Sequence, residues 1–240
     1  MDRKVKIVKR IMDIAISTIG LAVTLPFYPI IALAIKLESP GPVFYTQIRA
    51  GALDPNAKDP LKNLKCFKMY KFRTMRKDAE KYTGAVLAKK DDPRITRVGR
   101  FLRKTRLDEL PQFINVLKGD MSIVGPRPER PELLRNLALA IPFFEERMRG
   151  VKPGITGLAQ VSLGYSGKML KGSKLEKLKD TLLNPFKLEG VEECEADDMR
   201  TKLLYDLTYC ALLENFWTFL ITDLKIILKT PIVMLLGRGQ

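Results

Sequence analysis

A mainly helical α+β fold is predicted by three observations. A long uncharged run lies near the N-terminus, two short segments further on suit a β-hairpin, and amphipathic helical spacing fills most of the remainder. The outline is an N-terminal re-entrant membrane helix (1–36) followed by a small cytoplasmic domain (37–240). That domain carries the short hairpin and interfacial amphipathic helices.

Ile14 to Ile35 form an uncharged stretch of 22 residues. As a helix at about 1.5 Å per residue it reaches roughly 33 Å, the thickness of a bilayer core. A core helix of a soluble domain normally carries charge within such a length, and a secretory signal has a shorter apolar region. Arg3, Lys4, Lys6, Lys9 and Arg10 precede the run, and Lys36 with a basic domain follows it. Lys and Arg are retained on the cytoplasmic side, so a straight span would export one of the two basic flanks. Pro26 and Pro29 each remove a backbone donor and clash with the carbonyl four residues back, which bends or breaks a helix. A bent, re-entrant helix satisfies both facts better than a straight span.

The stretch 39–42 (Ser-Pro-Gly-Pro) is a turn, and Val43 to Ile48 read as a strand. Cys66 to Thr74, which alternates aromatic and basic residues, suits a strand pairing back onto it. Arg76 to Tyr82 reads as helix, and Ile95 to Leu102 have helical spacing at the end of a loop. Leu110 to Leu117 form an amphipathic helix closed by Gly119. Pro131 to Arg149 read as one helix interrupted near Pro142. "VKPGITGLAQV" reads as a glycine-rich turn leading into a strand. Lys168 to Leu183 suit a mixed-charge helix, 188–199 an acidic loop, and Thr201 to Leu228 a further helix. The C-terminal apolar stripe, bounded by Lys225, Lys229 and Arg238, fits a core helix or one lying in a membrane interface.

A formal charge of +15 attracts nucleic acid, anionic lipid or phosphorylated substrates. The three cysteines lack metal-like spacing and suit a reducing compartment. No histidine is present, which excludes imidazole acid–base chemistry and His-ligated metals.

The chemistry concentrates in 105–129. Asp108 and Glu109 adjoin each other directly after Arg97, Arg100, Arg103, Lys104 and Arg106. If a helix begins at Asp108, that residue is its N-cap, beside free N–H groups and the positive dipole end. An aspartate so placed stays ionised, as a nucleophile must, and the same cations can hold phosphate. Lys104–Asp108 and Arg106–Glu109 pairs on a solvated helix account for the same residues. In "GPRP", Pro126 and Pro128 fix the backbone around Arg127 and Gly125 allows close approach, presenting one guanidinium for bidentate phosphate contact. A proline-rich surface turn is the plainer reading.

Six segments, "KRIMDIAIS", "GPVFYTQIRAG", "FKMYKFRTM", "TRLDELPQFINVLKGDMSIVGPRPE", "VKPGITGLAQV" and "YDLTY…DLKIILKT", stand in the order seen in bacterial sugar transferases. The chain resembles these monotopic polyprenyl-phosphate phosphoglycosyl transferases over nearly its whole length. The resemblance implies transfer of a sugar phosphate from a UDP-sugar to polyprenyl (undecaprenyl) phosphate, releasing UMP, at the start of surface-glycan assembly. It implies Asp108 as nucleophile, Glu109 as ligand to Mg²⁺, and a helix break at Pro26. Arg127, Arg103, Lys71, Arg73 and Gln160 become candidates for substrate or phosphate contacts. It places 37–240 as the catalytic domain, on the cytoplasmic face of the bacterial inner membrane, with membrane lipids as partners, no nucleic acid, and a homo-oligomer left open.

The chain departs from the family pattern in three places. Leu25-Pro26 replaces a Ser-Pro pair, leaving Thr24 as the nearest hydroxyl. Ser162-Leu163-Gly164 replaces an Asn-Gly-Arg, and a variable insertion at about 164–199 is longer and more acidic than the pattern. A membrane-tethered nucleic-acid-binding module, stacking bases on "CFKMYKFR", is the alternative of another class, as is a membrane-surface scaffold. Neither needs a carboxylate pair inside its most basic segment.

Overall fold

A computed structural model describes residues 1–54, 56, 58, 61–62, 64–79, 92–163 and 195–235, with 195–198 and 235 described as backbone only. The helix expected at 168–183 and most of the insertion lie outside the described residues. The fold is α+β and mainly helical.

Helix α1 (Arg3–Thr24) buries Val5, Lys9, Asp13 and Ser17, a stripe repeating every four residues. A 3-10 turn at Leu25–Phe27 then breaks the helix where Pro26 removes a donor, and α2 (Tyr28–Glu38) follows. The Thr24 hydroxyl donates to the Gly20 carbonyl at 2.7 Å, a bond that helps to bend a helix. Both halves of the apolar run pack on the same body. α1 lies against the later helix α4, with the Phe113 ring so close to Gly20 that a Cβ there would meet it at 2.8 Å. α2 buries Ile31 and Ile35 against Phe72 and Leu102. Ile19, Val23, Ile30 and Leu33 face outward.

Strands β1 (Phe44–Ala50) and β2 (Cys66–Phe72) form the expected antiparallel hairpin, Phe44 opposite Phe72 and Ala50 opposite Cys66. Of its aromatics Phe72 turns inward and Phe67 and Tyr70 are half-buried, while Phe44 and Tyr45 stay exposed. Phe72 stacks on Phe44 at 5.2 Å and meets the Tyr28 edge at 4.8 Å, beside the helix break. The segment is therefore packed, not laid open as a stacking surface.

Helix α3 (Arg97–Thr105) is capped by Thr96, whose side chain accepts from the Gly99 N–H. α4 (Gln112–Lys118) ends on Gly119 in the left-handed region, φ 88°, as the glycine suggested. A second, parallel pair joins β3 (Ser122–Val124) to β4 (Gly154–Thr156). The strand expected after the glycine-rich turn is instead this β4, inside the turn. Residues Leu158–Leu163 form α6, opened by the Val161 N–H bonding to Gly157 O. α5 (Pro131–Ala140) gives way near Pro142 to a 3-10 turn at Phe144–Met148, as expected.

Three further expectations are corrected. Arg76–Ala79 is a turn, ended by Asp78 at φ 64°, and 80–82 lie outside the described residues. The single helix expected from Thr201 is two, α7 (Glu195–Leu212) and α8 (Phe216–Leu235), because the Asn215 side chain caps the Trp217 N–H at 2.9 Å. Residues 195–199 of the expected acidic loop belong to α7.

The main core gathers Val5, Val116, Val124, Tyr209, Phe219 and Ile226, so α1 is part of the same packed body as residues 116–226. Two polar bonds sets lock it there. Lys9 Nζ lies 2.6 Å from Asp223 Oδ2 and donates to the Tyr209 hydroxyl at 2.9 Å. Asp13 Oδ1 accepts from the Ser122 hydroxyl and the Ile123 N–H. α8 turns Phe219, Ile226 and Val233 into the core and leaves Trp217, Ile221, Leu224, Leu228 and Ile232 exposed along its other face.

Candidate functional site

α3 stops at Arg106, which takes the left-handed conformation (φ 59°, ψ 14°) usually left to glycine, at a cost of about 1 kcal/mol. The reversed chain enters a 3-10 turn at Leu107–Glu109, closed by the Glu109 N–H on Arg106 O at 3.1 Å. Asp108 is therefore not the N-cap of α4, which starts later, after Pro111. Both carboxylates are buried. Strand β2 lies alongside because Asn115 of α4 accepts from the Tyr70 N–H and donates to the Lys68 carbonyl, pairing with β2 like a strand edge.

Glu109 Oε1 is the centre of a cation cluster. Lys71 Nζ approaches to 2.8 Å, Arg127 Nη2 to 2.9 Å and Arg106 Nη1 to 3.9 Å. Burial opposes ionisation, but Arg127, Lys71 and Arg106 outweigh it and hold this carboxyl well below the usual range. Asp108 goes the other way. Burial and the neighbouring Glu109 charge outweigh Lys71, Arg106 and Arg103, and its carboxyl is pushed up to about 6. Among the described residues its Oδ1 is buried with no hydrogen-bond partner, and so is Gln112 Nε2. Adjacent carboxylates thus have divergent environments, one neutralised by cations and one held bare. A desolvated, unpaired carboxylate that still ionises at neutral pH has what a nucleophile requires.

The loop carrying Arg127 is bonded at every residue from 125 to 129. The Gly125 N–H donates to Thr156 O, and Pro126 O accepts from the Gly154 N–H, each at 2.9 Å. Arg127 O accepts from Arg147 Nη2, Pro128 O from Arg49 Nη1 at 3.0 Å, and Glu129 O from the Ala50 N–H at 3.0 Å. A Cβ on Gly125 would meet Lys152 O at 2.3 Å, which is why glycine stands there. Arg147 is itself fully buried, its Nε 3.1 Å from Asp206 Oδ2 and its Nη1 3.7 Å from Glu129. Burial lifts the Asp206 carboxyl to about 6 despite Arg147.

The structure thus brings together Asp108, Glu109, Lys71 and Arg127, and realises the Arg106–Glu109 pair. Arg103 acts on Asp108 through its field without an ion pair. Arg73 is engaged elsewhere, its terminal nitrogens each donating at 2.6 Å to Pro40 O and Ser39 O at the end of α2. Gln160 sits buried in α6 with its amide on Ile155 O, and no bond joins it to the dyad. Arg49, Arg147 and Asp206 were missed by sequence reasoning, since each acts on an element distant in sequence, Arg49 on Pro128, Arg147 on Arg127 and Asp206 on Arg147. Among the described residues no three Asp, Glu or Cys side chains could enclose a metal ion. The dyad still supplies carboxylate oxygens, one of them without a partner. That suits Mg²⁺, which takes one or two carboxylates and completes its shell with water and substrate phosphate.

The family model described as bacterial sugar transferase matches residues 4–237. A protein of Bacillus subtilis (strain 168), provisionally named undecaprenyl-phosphate N-acetylgalactosaminyl 1-phosphate transferase, is 52% identical over 141 residues, 59% of this chain and 73% of its own. The UDP-N-acetylgalactosamine-undecaprenyl-phosphate N-acetylgalactosaminephosphotransferase of Aeromonas hydrophila is 39% identical over 97% of this chain and 44% of its own length. The UDP-glucose:undecaprenyl-phosphate glucose-1-phosphate transferase of Escherichia coli (strain K12) is 43% identical over 78% of this chain and 37% of its own. The chain spans less than half the length of the last two relatives.

Proposed function

The chain belongs to the bacterial sugar transferase family, and from that premise we propose that it transfers a sugar 1-phosphate from a UDP-sugar to polyprenyl phosphate. The observation that carries this reading is the bare Asp108 carboxylate beside a cluster of Lys71, Arg127 and Arg106 on Glu109. Asp108 attacks the sugar-bearing phosphorus. An aspartyl–phosphorus bond forms as the bond to the bridging oxygen breaks, and the electron pair leaves with UMP. The lipid phosphate oxygen then attacks the same phosphorus and expels Asp108, giving a polyprenyl-diphosphate sugar.

Arg127 and Lys71 are placed to meet phosphate oxygens, and the fully bonded loop holds the guanidinium without reorganisation. Glu109 and Asp108 are the residues that would hold Mg²⁺. When bound, that ion would neutralise diphosphate charge. The acceptor phosphate sits at a bilayer surface, and the two exposed apolar faces, on α1–α2 and on α8, suit that location. Both halves of the apolar run pack on one body, which favours re-entry from the cytoplasmic side over a straight span.

The test is UMP release by purified protein in detergent, given undecaprenyl phosphate and a UDP-sugar panel that includes the N-acetylgalactosamine and glucose donors named for its relatives. Metal-dependent UMP release that vanishes in Asp108→Asn is expected. No release with any donor, alongside salt-sensitive binding of generic nucleic acid, would overturn the reading.

A further inference from the structure

The apolar run ends at Ile35, and Lys36 is the first charge after it. Ile30 and Leu33 face outward on α2, and Leu37 is exposed just past Lys36. Glu38, the last residue of α2, lies about 4.5 Å along the helix axis beyond Ile35. The headgroup layer on each side of a bilayer core is about 5–7 Å deep, so the end of α2 stands inside it.

An open cavity of about 390 Å³ begins at this point. Its walls are residues 38–40 at the end of α2, Arg76 and Lys77 beyond β2, and Thr96 and Arg97 at the start of α3. These walls are held from three directions. Arg73 donates to Ser39 O and Pro40 O, the Arg76 N–H to Arg94 O at 2.9 Å, and the Thr96 N–H to Thr74 O at 3.1 Å. Three cations line the cavity against one carboxylate. That carboxylate is already engaged, since Glu38 accepts from the Arg97 and Val98 N–H groups at 2.6 and 2.8 Å. Among the described residues, Arg76, Lys77 and Arg97 are exposed, and their side chains form no hydrogen bond or ion pair. The cavity thus carries surplus positive charge at the depth where lipid phosphates lie.

The phosphate it meets there is not the reacting one. α3 is nine residues long, about 13 Å, and separates the cavity at its start from the dyad beyond its end. The acceptor phosphate has to touch Asp108, so a phosphate in the cavity belongs to a bystander lipid. We infer that this cavity binds the phosphodiester headgroup of an anionic phospholipid in the leaflet from which α2 emerges. This rests on the membrane placement above and not on the transfer chemistry. A lipid held by Arg76, Lys77 and Arg97 joins the bilayer surface to α3, the helix that ends on the dyad.

The test uses the full chain in nanodiscs of equal phosphatidylglycerol and phosphatidylcholine, with native mass spectrometry counting the lipids that the protein retains. The unmodified protein should retain phosphatidylglycerol in preference. A Lys or Arg near an anionic surface strengthens attraction about fivefold, so Arg76→Gln, Lys77→Gln and Arg97→Gln combined should lower that preference about ten- to a hundredfold. All three side chains are exposed, so the melting temperature in phosphatidylcholine alone should hold. A control, Lys65→Gln, Lys68→Gln and Arg135→Gln, removes the same charge around the far end of the hairpin and on α5, and should keep the preference. Equal loss in the control would mean diffuse attraction to the +15 chain and overturn the site. So would an unmodified protein with no preference. Displacement of phosphatidylglycerol by excess inorganic phosphate would assign the cavity to a soluble anion and overturn it too. A protein that never enters the nanodisc sinks the membrane placement as well. Absence of UMP release with the lipid preference intact leaves this inference standing and counts against the transferase reading alone.

Discussion

Replacing Asp108 by Asn should abolish turnover and make the protein more stable. The folded protein raises this carboxyl from 3.8 to about 6, burial being the main cause. Two units at about 1.4 kcal/mol each make ionisation at pH 7 cost about 3 kcal/mol of folding stability. The sign follows from proton uptake. Between about pH 4 and 6 the folded state holds a proton that the unfolded chain has lost, so stability is full below that window and falls as pH rises through it. Asn cannot ionise, and it keeps the shape. Its buried amide also needs partners, which removes about half of the gain and leaves about 1–2 kcal/mol. At about 2–4 °C per kcal/mol the melting temperature should rise by about 2–8 °C at pH 7.5. The gain should shrink at pH 4.5, where the aspartate is itself largely protonated. Thermal melts of both proteins in one detergent at the two pH values check this. A variant less stable at pH 7.5, or a gap that ignores pH, would refute the account of Asp108 as a bare buried carboxylate.

Three other outcomes are expected. Arg127→Lys keeps the charge but loses the planar fork, so kcat/KM should fall by about one to three orders of magnitude, and equal activity would remove the bidentate role. Arg147→Met leaves buried Asp206 and half-buried Glu129 without their cation and the Arg127 carbonyl unheld. Denaturant melts should show a loss of about 3–5 kcal/mol, and a native-like midpoint would contradict the packing described. Impermeant thiol labelling of intact cells should miss both Cys66 and a cysteine placed at residue 3, becoming positive on permeabilisation. External labelling of either flank would establish a straight span.

The legible parts of the fold were those written in local pattern. The helix break follows from Pro26, the hairpin from the strand read at 43–48 and the alternation at 66–74, which pair as 44–50 and 66–72, and the end of α4 from Gly119. The β3–β4 pair was hidden because three-residue strands carry too little periodicity, and their pairing depends on Gly125 and Gly154 tolerating close backbone approach. The start of α4 was misplaced because no local signal announces a left-handed arginine at 106. Within the site, Asp108, Glu109 and Arg127 stood out through neighbours in sequence. Arg73 resembled them in chemistry but is held by the α2 terminus. Arg49 and Arg147 reach the loop from other elements, so only the tertiary fold reveals them.

The central claim is that Asp108 becomes covalently bonded to the transferred sugar phosphate. Intact-protein mass spectrometry after acid quench, with UDP-sugar and Mg²⁺ present and lipid acceptor withheld, tests it most directly. The account predicts an added sugar phosphate mapped to Asp108, chased off by undecaprenyl phosphate and absent from Asp108→Asn. Rapid turnover with lipid, but no adduct at any quench time or an adduct on another residue, would contradict it.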